Sequence, residues 1–490
     1  MSADSQAARS TEIGLGLALA PLGSLLALFV IGGLLYGLGI EVLIVSMLLS
    51  ALVAGAIAAS RGASWDDVQR STGEKLASVL PAILILLSIG MLIGAWVLSG
   101  TIPFLVSLGI RLVDPRFFVV TAFVVTAVMS LSTGTSWGSA GTLGVALMGS
   151  AAVVGAPLAA TAGAVLSGAY FGDKMSPLSD TTNICAIGAG ADLYAHIRHM
   201  LYTALPSVAL CLVVYGFLAD SGAPSADLPP SAVSLLAEID RVFDPGLVSL
   251  VPVGVVLLGI ALRVPPVLAL GASSALALAL GALAGGFGIE NALTVVVRGF
   301  DRAMVVVLGI EPTSLSADFV RLLERGGLYS MVNTLVVILA AFLMAAGMDV
   351  SGGLDRILRS LLGAVRSVFG LIVATLTAGA TMISLTSHAG VTALIVGGMF
   401  QRAYRERDLA PENLSRSLED SVTILEPLLP WTVSAIFMAT TLGVPTLDYL
   451  PWAVFCYGGP VFSFLYAALS GRSGFGVKRM PHEPSRGPEA

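Results

Sequence analysis

From residue 13 to residue 469 the chain passes through one apolar stretch after another, many of them close to the length of a bilayer crossing. A membrane helix needs about 20 apolar residues, and a soluble fold has no means of hiding so many in series. Composition agrees. Charged residues make up 11% of the 490 and apolar residues 56%, with a mean hydropathy of +0.92; soluble domains run at about 25% and about 45–50%. At roughly 150 residues per domain the length would suggest soluble domains in tandem, but so few charges cannot build their polar surfaces. A single-pass receptor is excluded because the apolar text runs almost end to end. A nucleic-acid binder is excluded by the net charge of −6 and the lack of a basic stripe.

The apolar runs in the first part are 13–35, 42–59, 81–100, 117–131, 139–150, 153–170 and 200–218, with a stretch at 104–113 too short to span alone. In the second part they are 246–262, 267–286, 303–310, 331–349, 368–385, 390–400, 433–444 and 451–469. The first run is longer than the roughly 7–15-residue core of a signal peptide, so it reads as a first membrane helix. Several runs are shorter than a full span and read as half-helices or re-entrant hairpins, which are stable only where protein buries them.

Arg and Lys in short loops set orientation. The 60–80 segment, the Arg402/Arg405/Arg407/Arg416 segment and the tail with Arg472, Lys478 and Arg479 are basic and are expected in the cytoplasm. The acidic, Pro-containing segment 219–245, with Arg241 as its single base, is expected outside. Five regions follow: a cytoplasmic tail at 1–12, a first repeat at 13–218, an external linker at 219–245, a second repeat at 246–469 and a cytoplasmic tail at 470–490. The expected fold is an all-α polytopic membrane protein with about 10–12 spans. Its two halves are inverted repeats with re-entrant hairpins and broken helices. Ser130-Leu131-Ser132-Thr133 echoes Ser384-Leu385-Thr386-Ser387, and Asp180-Thr181 echoes Asp420-Ser421, although at a different spacing. Interrupted helices from inverted repeats that face one midplane site are a recurring transporter design.

Three constellations could carry chemistry. The first is Thr133-Gly134-Thr135-Ser136-Trp137-Gly138-Ser139-Ala140-Gly141-Thr142. Its glycines and hydroxyls suit backbone that leaves the helix. Freed carbonyls and hydroxyls are hard ligands for an alkali cation, and freed amides at a half-helix start suit a carboxylate; close helix packing through small residues is the competing reading. The second is Gly172-Asp173-Lys174-Met175-Ser176-Pro177-Leu178-Ser179-Asp180-Thr181-Thr182-Asn183. Pro177 prevents regular helix there. A charge at the bilayer centre costs about 2.5–3.5 kcal/mol on insertion scales, so two carboxylates and a lysine between apolar runs point to function unless this is a surface loop. The third is Leu418-Glu419-Asp420-Ser421-Val422-Thr423-Ile424-Leu425-Glu426-Pro427. Glu419 reads as a surface partner of Arg416; Asp420 and Glu426 are harder to dismiss.

Lys174 is one of three lysines against twenty-two arginines, and Lys75 and Lys478 lie in polar flanks. Cys185, Cys211 and Cys456 lack metal-ligand spacing and read as small buried hydrophobes. His196 and His199 read as a headgroup-level face, His388 as a satisfied polar residue in the second half, and His482 as part of the tail. There is no phosphate loop, HExxH or GxSxG. An intramembrane aspartyl hydrolase using Asp173 and Asp180 is a distant competitor, since Lys174 beside them argues for ion traffic. A channel is another, but it would more often present symmetric rings in a shorter subunit.

Gly134 to Thr142 followed by Gly168 to Asn183, with Tyr194-Ala195-His196-Ile197-Arg198-His199-Met200 behind them, resembles the NhaC-type sodium/proton antiporter family. The resemblance is tight over 130–205 and extends over about 75–470, with Arg325-Gly326-Gly327 and Leu418-Glu419-Asp420 as second-half anchors. It implies a secondary transporter of the inner membrane that exchanges Na⁺ for H⁺ in the ion-transporter superfamily fold. Relatives with organic cargo imply a runner-up, a Na⁺- or H⁺-coupled carrier of a small organic anion or amino acid. The chain departs from the family pattern where relatives carry a small hydroxyl residue (here Glu426), Asn after Pro-Trp (here Thr432) and an amide-bearing stretch (here near His388).

On this reading Asp180 is the first candidate for a carboxylate shared by Na⁺ and H⁺, and Asp173 the second. Ser136, Thr135 and Thr181 complete the oxygen shell, with Asp180, Asp173, Ser136 and Thr181 as the Na⁺ ligands. Asn183 fixes orientation, Lys174 pairs with Asp173 when no ion is bound, and Asp420, Glu426 and His388 contribute from the second half. No cofactor is expected beyond the two ions; the expected surroundings are the lipid bilayer, with a homo-oligomer left open.

Overall fold

The computed structural model describes residues 13–220, 230–243 and 246–480. The N-terminal tail 1–12, part of the 219–245 linker and His482 lie outside the described residues. Every regular element among them is helical, and a lone bridge joins Leu409 to Arg479. Among the described residues nine helices are long and apolar enough to cross a membrane, or up to twelve spans if each of three bent helix pairs is one. The protein is a polytopic α-helical membrane protein.

The first half contains α1 (Leu15–Tyr36), α2 (Ile40–Ser60), α3 (Trp65–Leu98), the short α4 (Thr101–Leu112) and α5 (Phe118–Thr133). It continues with α6 (Ser136–Val154), α7 (Leu158–Met175), α8 (Asp180–Ala189) and α9 (Leu193–Asp220). The 60–80 segment is not a loop throughout. Ser64 and Asp67 form a capping box that starts α3 there, and Lys75 on it pairs with Asp349 at 2.9 Å.

The 219–245 segment contains α10 (Pro230–Phe243). Ala232, Leu235, Ile239 and Val242 recur at helical spacing and are buried. Glu238 beside them accepts from the Ser316 amide at 2.7 Å. A segment read as a linker therefore docks half its length on the body.

The second half contains α11 (Val251–Ala261), α12 (Pro266–Ala284), α13 (Gly288–Arg298), α14 (Ala317–Leu323), α15 (Val332–Val350) and α16 (Gly353–Gly363). It ends with α17 (Val368–Thr386), α18 (Ala389–Arg405), α19 (Pro411–Leu428), α20 (Val433–Leu442) and α21 (Val454–Ser473).

The halves repeat at a constant offset of 253 residues from α5–α8 to α17–α20. The left-handed residue that ends α5 is Gly134 (φ 69, ψ 26), and the one that ends α17 is Ser387 (φ 56, ψ 12). The next residues, Thr135 (φ −145, ψ 122) and His388 (φ −143, ψ 119), cap α6 and α18 with nearly the same backbone. The hairpin turns use left-handed Gly155 and Asp408, and the last half-helices end on left-handed Gly190 and Gly443. Both second breaks place a proline two residues past the helix and a hydroxyl cap two residues later: Ser176-Pro177-Leu178-Ser179 and Leu429-Pro430-Trp431-Thr432. The serine-threonine echo read from the sequence is thus one residue out of register, and the structural mate of Asp173 is Glu426.

In each half the two breaks touch. A Cβ on Gly134 would lie 2.6 Å from Leu178 Cβ, so no side chain fits. At the matching contact Ser387 tolerates its left-handed backbone while its hydroxyl donates to the Trp431 carbonyl at 3.4 Å. The halves also interlock: α8 packs on α18 and α20 on α6, with Trp137 stacked on Phe437 at 4.4 Å between centroids. This brings four helix breaks into one region of the molecule.

Candidate functional site

The break between α7 and α8 follows from Pro177, which has no N–H to give and pushes Ser176 out of helical backbone. Its loose carbonyls are not left bare. Thr182 Oγ1 donates to the carbonyls of Lys174 at 3.1 Å and Asp173 at 3.3 Å. Asn183 Nδ2 donates to those of Ser179 at 2.7 Å and Pro177 at 3.0 Å. Likewise Thr142 bonds the Gly138 carbonyl at 2.7 Å and Ser139 the Thr135 carbonyl at 2.9 Å. The bare-carbonyl ligands expected from the sequence are therefore largely occupied, and these breaks present side chains instead. Asn183 holds the break through its two bonds. Thr135 is used as the cap of α6, accepting from the Gly138 amide at 3.2 Å.

Asp173 is 7% exposed and accepts from the Ser136 hydroxyl at 2.6 Å. The Ser136 amide at the start of α6 and the Ser179 hydroxyl face the same carboxylate. Thr181 lies one step further out, 3.0 Å from Ser179 Oγ. Asp180, ranked first from the sequence, is exposed. Thr182, Cys185, Ala186 and Ala189 take the inner face of α8, and Asp180 shares the outer face with Ile187. Of the two carboxylates beside Pro177, the buried one is Asp173.

Lys174 does not pair with Asp173. Consecutive residues on a helix point about 100° apart, and Lys174 reaches across the molecule to Asp420, with which it forms a fully buried ion pair. Thr203 Oγ1 lies 3.3 Å from the ammonium and 3.2 Å from Asp420 Oδ1, and Ser463 donates to Oδ2 at 2.5 Å. Phe455 presents its ring to the ammonium, centroid 5.9 Å away.

Asp420 sits in a π-turn, Glu419–Thr423, inside α19. Such insertions shift side chains out of helical register and recur at functional sites. Glu419 is also fully buried, which corrects its reading as a surface partner of Arg416. Its Oε2 accepts from Thr423, while Oε1 accepts no hydrogen bond among the described residues. Arg416 is buried too and bonds His199 Nε2 at 3.1 Å and the Gly476 carbonyl at 2.6 Å. His196 is likewise buried, against Ser415 at 2.7 Å. The two histidines are interior residues, because α9 lies against α19 and α21.

Glu426 is 5% exposed and faces the Ala389 and Ser434 amides and the Ser434 hydroxyl. Trp137 Nε1 of the first half donates to that hydroxyl at 3.3 Å. His388, half-buried at the cap of α18, has a buried Nδ1 with no partner among the described residues, so it is not the satisfied polar residue expected. The three cysteines are free and buried, as read. Among the described residues no group of three His, Cys, Asp or Glu side chains converges in the manner of a metal cage.

The structure thus gathers Asp173, Ser136, Lys174, Asp420 and Glu426 in the interior, and adds Glu419, Thr203 and Ser463. Thr203 and Ser463 lie in apolar runs as single hydroxyls with no sequence signal. Glu419 had one: it immediately precedes Asp420, but the polar residues around it resembled a surface helix.

Comparison with known proteins agrees with this architecture. The model of the "Na+/H+ antiporter family" matches residues 11–219 and 168–470. An uncharacterized Na⁺/H⁺ antiporter of Haemophilus influenzae is 42% identical, over 94% of this chain and 97% of its own length. The Na⁺/H⁺ antiporter NhaC of Alkalihalophilus pseudofirmus is 34% identical, over 83% and 85%. A malate-2H⁺/Na⁺-lactate antiporter of Bacillus subtilis is 32% identical, over 80% and 81%. Matched along nearly its whole length and built from paired broken helices around buried carboxylates, the chain belongs to the Na⁺/H⁺ antiporter family.

Proposed function

We propose that this protein exchanges Na⁺ for H⁺ across the cell membrane, with Asp173 as the carboxylate that holds the two ions in turn. The observation that carries the reading is Asp173 itself. It is buried beside a helix break, faces two hydroxyls and a helix start, and has its neighbouring lysine committed to Asp420. Burial disfavours the charged form of a carboxylate unless a cation accompanies it. Na⁺ and H⁺ therefore compete for the same oxygens, and that competition couples the two fluxes. Ser136 and Ser179 can turn from donors to Na⁺ ligands by rotating a hydroxyl, with Thr181 behind them. Glu419 adds a further buried carboxylate without a partner on Oε1. Asp180 is exposed and serves in the approach of ions rather than in their exchange.

The runner-up is a carrier that couples these ions to an organic anion, in the manner that the name of the Bacillus relative describes. What favours it is Lys174, a buried ammonium that would bind a carboxylate if Asp420 were protonated. Proteoliposomes with an internal pH dye separate the two. Na⁺ or Li⁺ added outside should move protons with no organic solute present. Proton movement that appears only when malate, lactate or an amino acid is supplied would sink the antiporter reading.

We further propose that the two repeats are inverted, with the 219–245 segment outside and the Arg402–Arg407 segment in the cytoplasm. The motive is one base in the first against three in the second. In a background with the three buried cysteines replaced, Ser225→Cys should react with an impermeant thiol reagent applied to intact cells, and Arg405→Cys should not. The reverse pattern would overturn the inversion.

A further inference from the structure

We infer that Glu426 forms a second cation site, the counterpart of Asp173 in the other repeat, which binds Na⁺ and H⁺ alternately. The inference rests on the Na⁺/H⁺ reading and turns Glu426 from a contributor to one site into the centre of a second. The two carboxylates lie 253 positions apart, the offset that relates every break in the two halves. Each precedes a proline break by three residues, and each is buried. Each faces the first amide of the hairpin helix in its own half: Ser136 for Asp173 and Ala389 for Glu426. Each also faces a hydroxyl near the start of the half-helix that follows the second break, the Ser179 cap of α8 in the first case and Ser434, two positions past the equivalent cap Thr432, in the second.

The resemblance is not only of backbone. Buried Tyr170 on α7 shares Ser434 with Glu426 and lies within electrostatic reach of both Glu426 and Asp173. The two sites therefore face one interior region. Around Glu426 stand Tyr170 from α7, Trp137 from α6 through Ser434, and the Ala389 amide from α18, which His388 precedes in the chain. Tyr449 donates to the neighbouring Pro427 carbonyl at 2.7 Å. Among the described residues Glu426 has no cationic side chain paired with it. A buried carboxylate without a counter-charge must carry a cation, and at a helix break between two exchanging halves that cation is a proton or Na⁺.

The test counts protons. Purified protein in detergent and weak buffer, started acidic, is titrated with NaCl against a choline chloride control while a pH dye reports release. E426Q and D173N should each release half as many protons as the parent at saturating Na⁺, and the double variant none. E426D should keep the full count with a shifted Na⁺ half-saturation. Thermal melts verify the fold, and E426S replaces E426Q if the amide unfolds the protein. If E426Q and E426S both release as many protons as the parent, Glu426 is not a second site. If the parent itself releases none, the Na⁺/H⁺ reading fails first.

Discussion

Asp173→Asn should reduce Na⁺-driven proton movement to the level of empty vesicles while the protein keeps its fold. Asn is close to Asp in size and still accepts from the Ser136 hydroxyl, which now sits 2.6 Å from Asp173 Oδ2. What is lost is the charge. Without it, neither H⁺ nor Na⁺ has a partner in this half of the molecule, and their competition ends. Replacing a buried charged group by a neutral one of similar volume is often neutral or stabilising, so the melting temperature should hold or rise. Asp180→Asn is the contrast. Asp180 is exposed, and an exposed charge acts on a nearby ion by no more than about 1 kcal/mol, or about fivefold in rate or affinity. Both variants are measured in one proteoliposome preparation with the pH dye. Full exchange by Asp173→Asn, or loss of exchange only in Asp180→Asn, would return the coupling role to Asp180.

The second expected result concerns the buried pair of Lys174 and Asp420. Lys174→Met leaves Asp420 charged, buried and held only by the hydroxyls of Thr203 and Ser463. Breaking a buried pair from one side costs about 3–5 kcal/mol, whereas removing both charges together is often neutral. Lys174→Met and Asp420→Asn should each melt well below the parent, and the double variant should recover most of the loss. The transport readout separates a structural pair from a coupled one. In Asp420→Asn the ammonium is released and becomes an internal cation that competes with Na⁺ for the remaining carboxylates. A penalty of about 1.4 kcal/mol there raises the Na⁺ half-saturation about tenfold. The double variant removes the competitor and should return the half-saturation to the parent value. An unchanged half-saturation in Asp420→Asn would show that Lys174 does not communicate with the exchanging carboxylate.

The register of the two repeats was legible only in part. Ser130–Thr133 and Ser384–Ser387 carried the echo, but side-chain similarity aligned them one residue out of step. Backbone geometry supplies the register. Gly134 and Ser387 share no chemistry, yet both end a helix in left-handed backbone. The same holds for Gly155 and Asp408. Sequence similarity follows side chains, whereas a repeat is held by where helices must stop. For this reason the sequence pairs Asp180 with Asp420, and Glu426, the true mate of Asp173, stands in it as a second-half contributor without a first-half partner.

Other features were set largely by the chain itself. Too few charges exist to solvate its surface, so it must span a membrane. Pro177 and Pro430 lack the N–H that a helix interior needs, which favours the breaks at 176–179 and 429–432, although Pro21, Pro81, Pro206 and Pro460 lie within helices and show that packing also decides where a proline stops one. The family, too, was marked by contiguous motifs, since Gly134 to Thr142 and Gly168 to Asn183 are local text. Tertiary structure decided which groups meet. Asp173 is buried and Asp180 exposed because of the faces that α7 and α8 turn inward, and whether Lys174 pairs with its neighbour or with Asp420, 246 residues away, depends on how α7 and α19 cross. Glu419 and Arg416 look like a surface pair when only their spacing is known, and are interior because α19 is enclosed by other helices. Membrane insertion is set by transfer energies, and helix breaks are favoured by backbone sterics, of a few consecutive residues. Ion pairing and burial are set by contacts between segments hundreds of residues apart, and no local pattern encodes them.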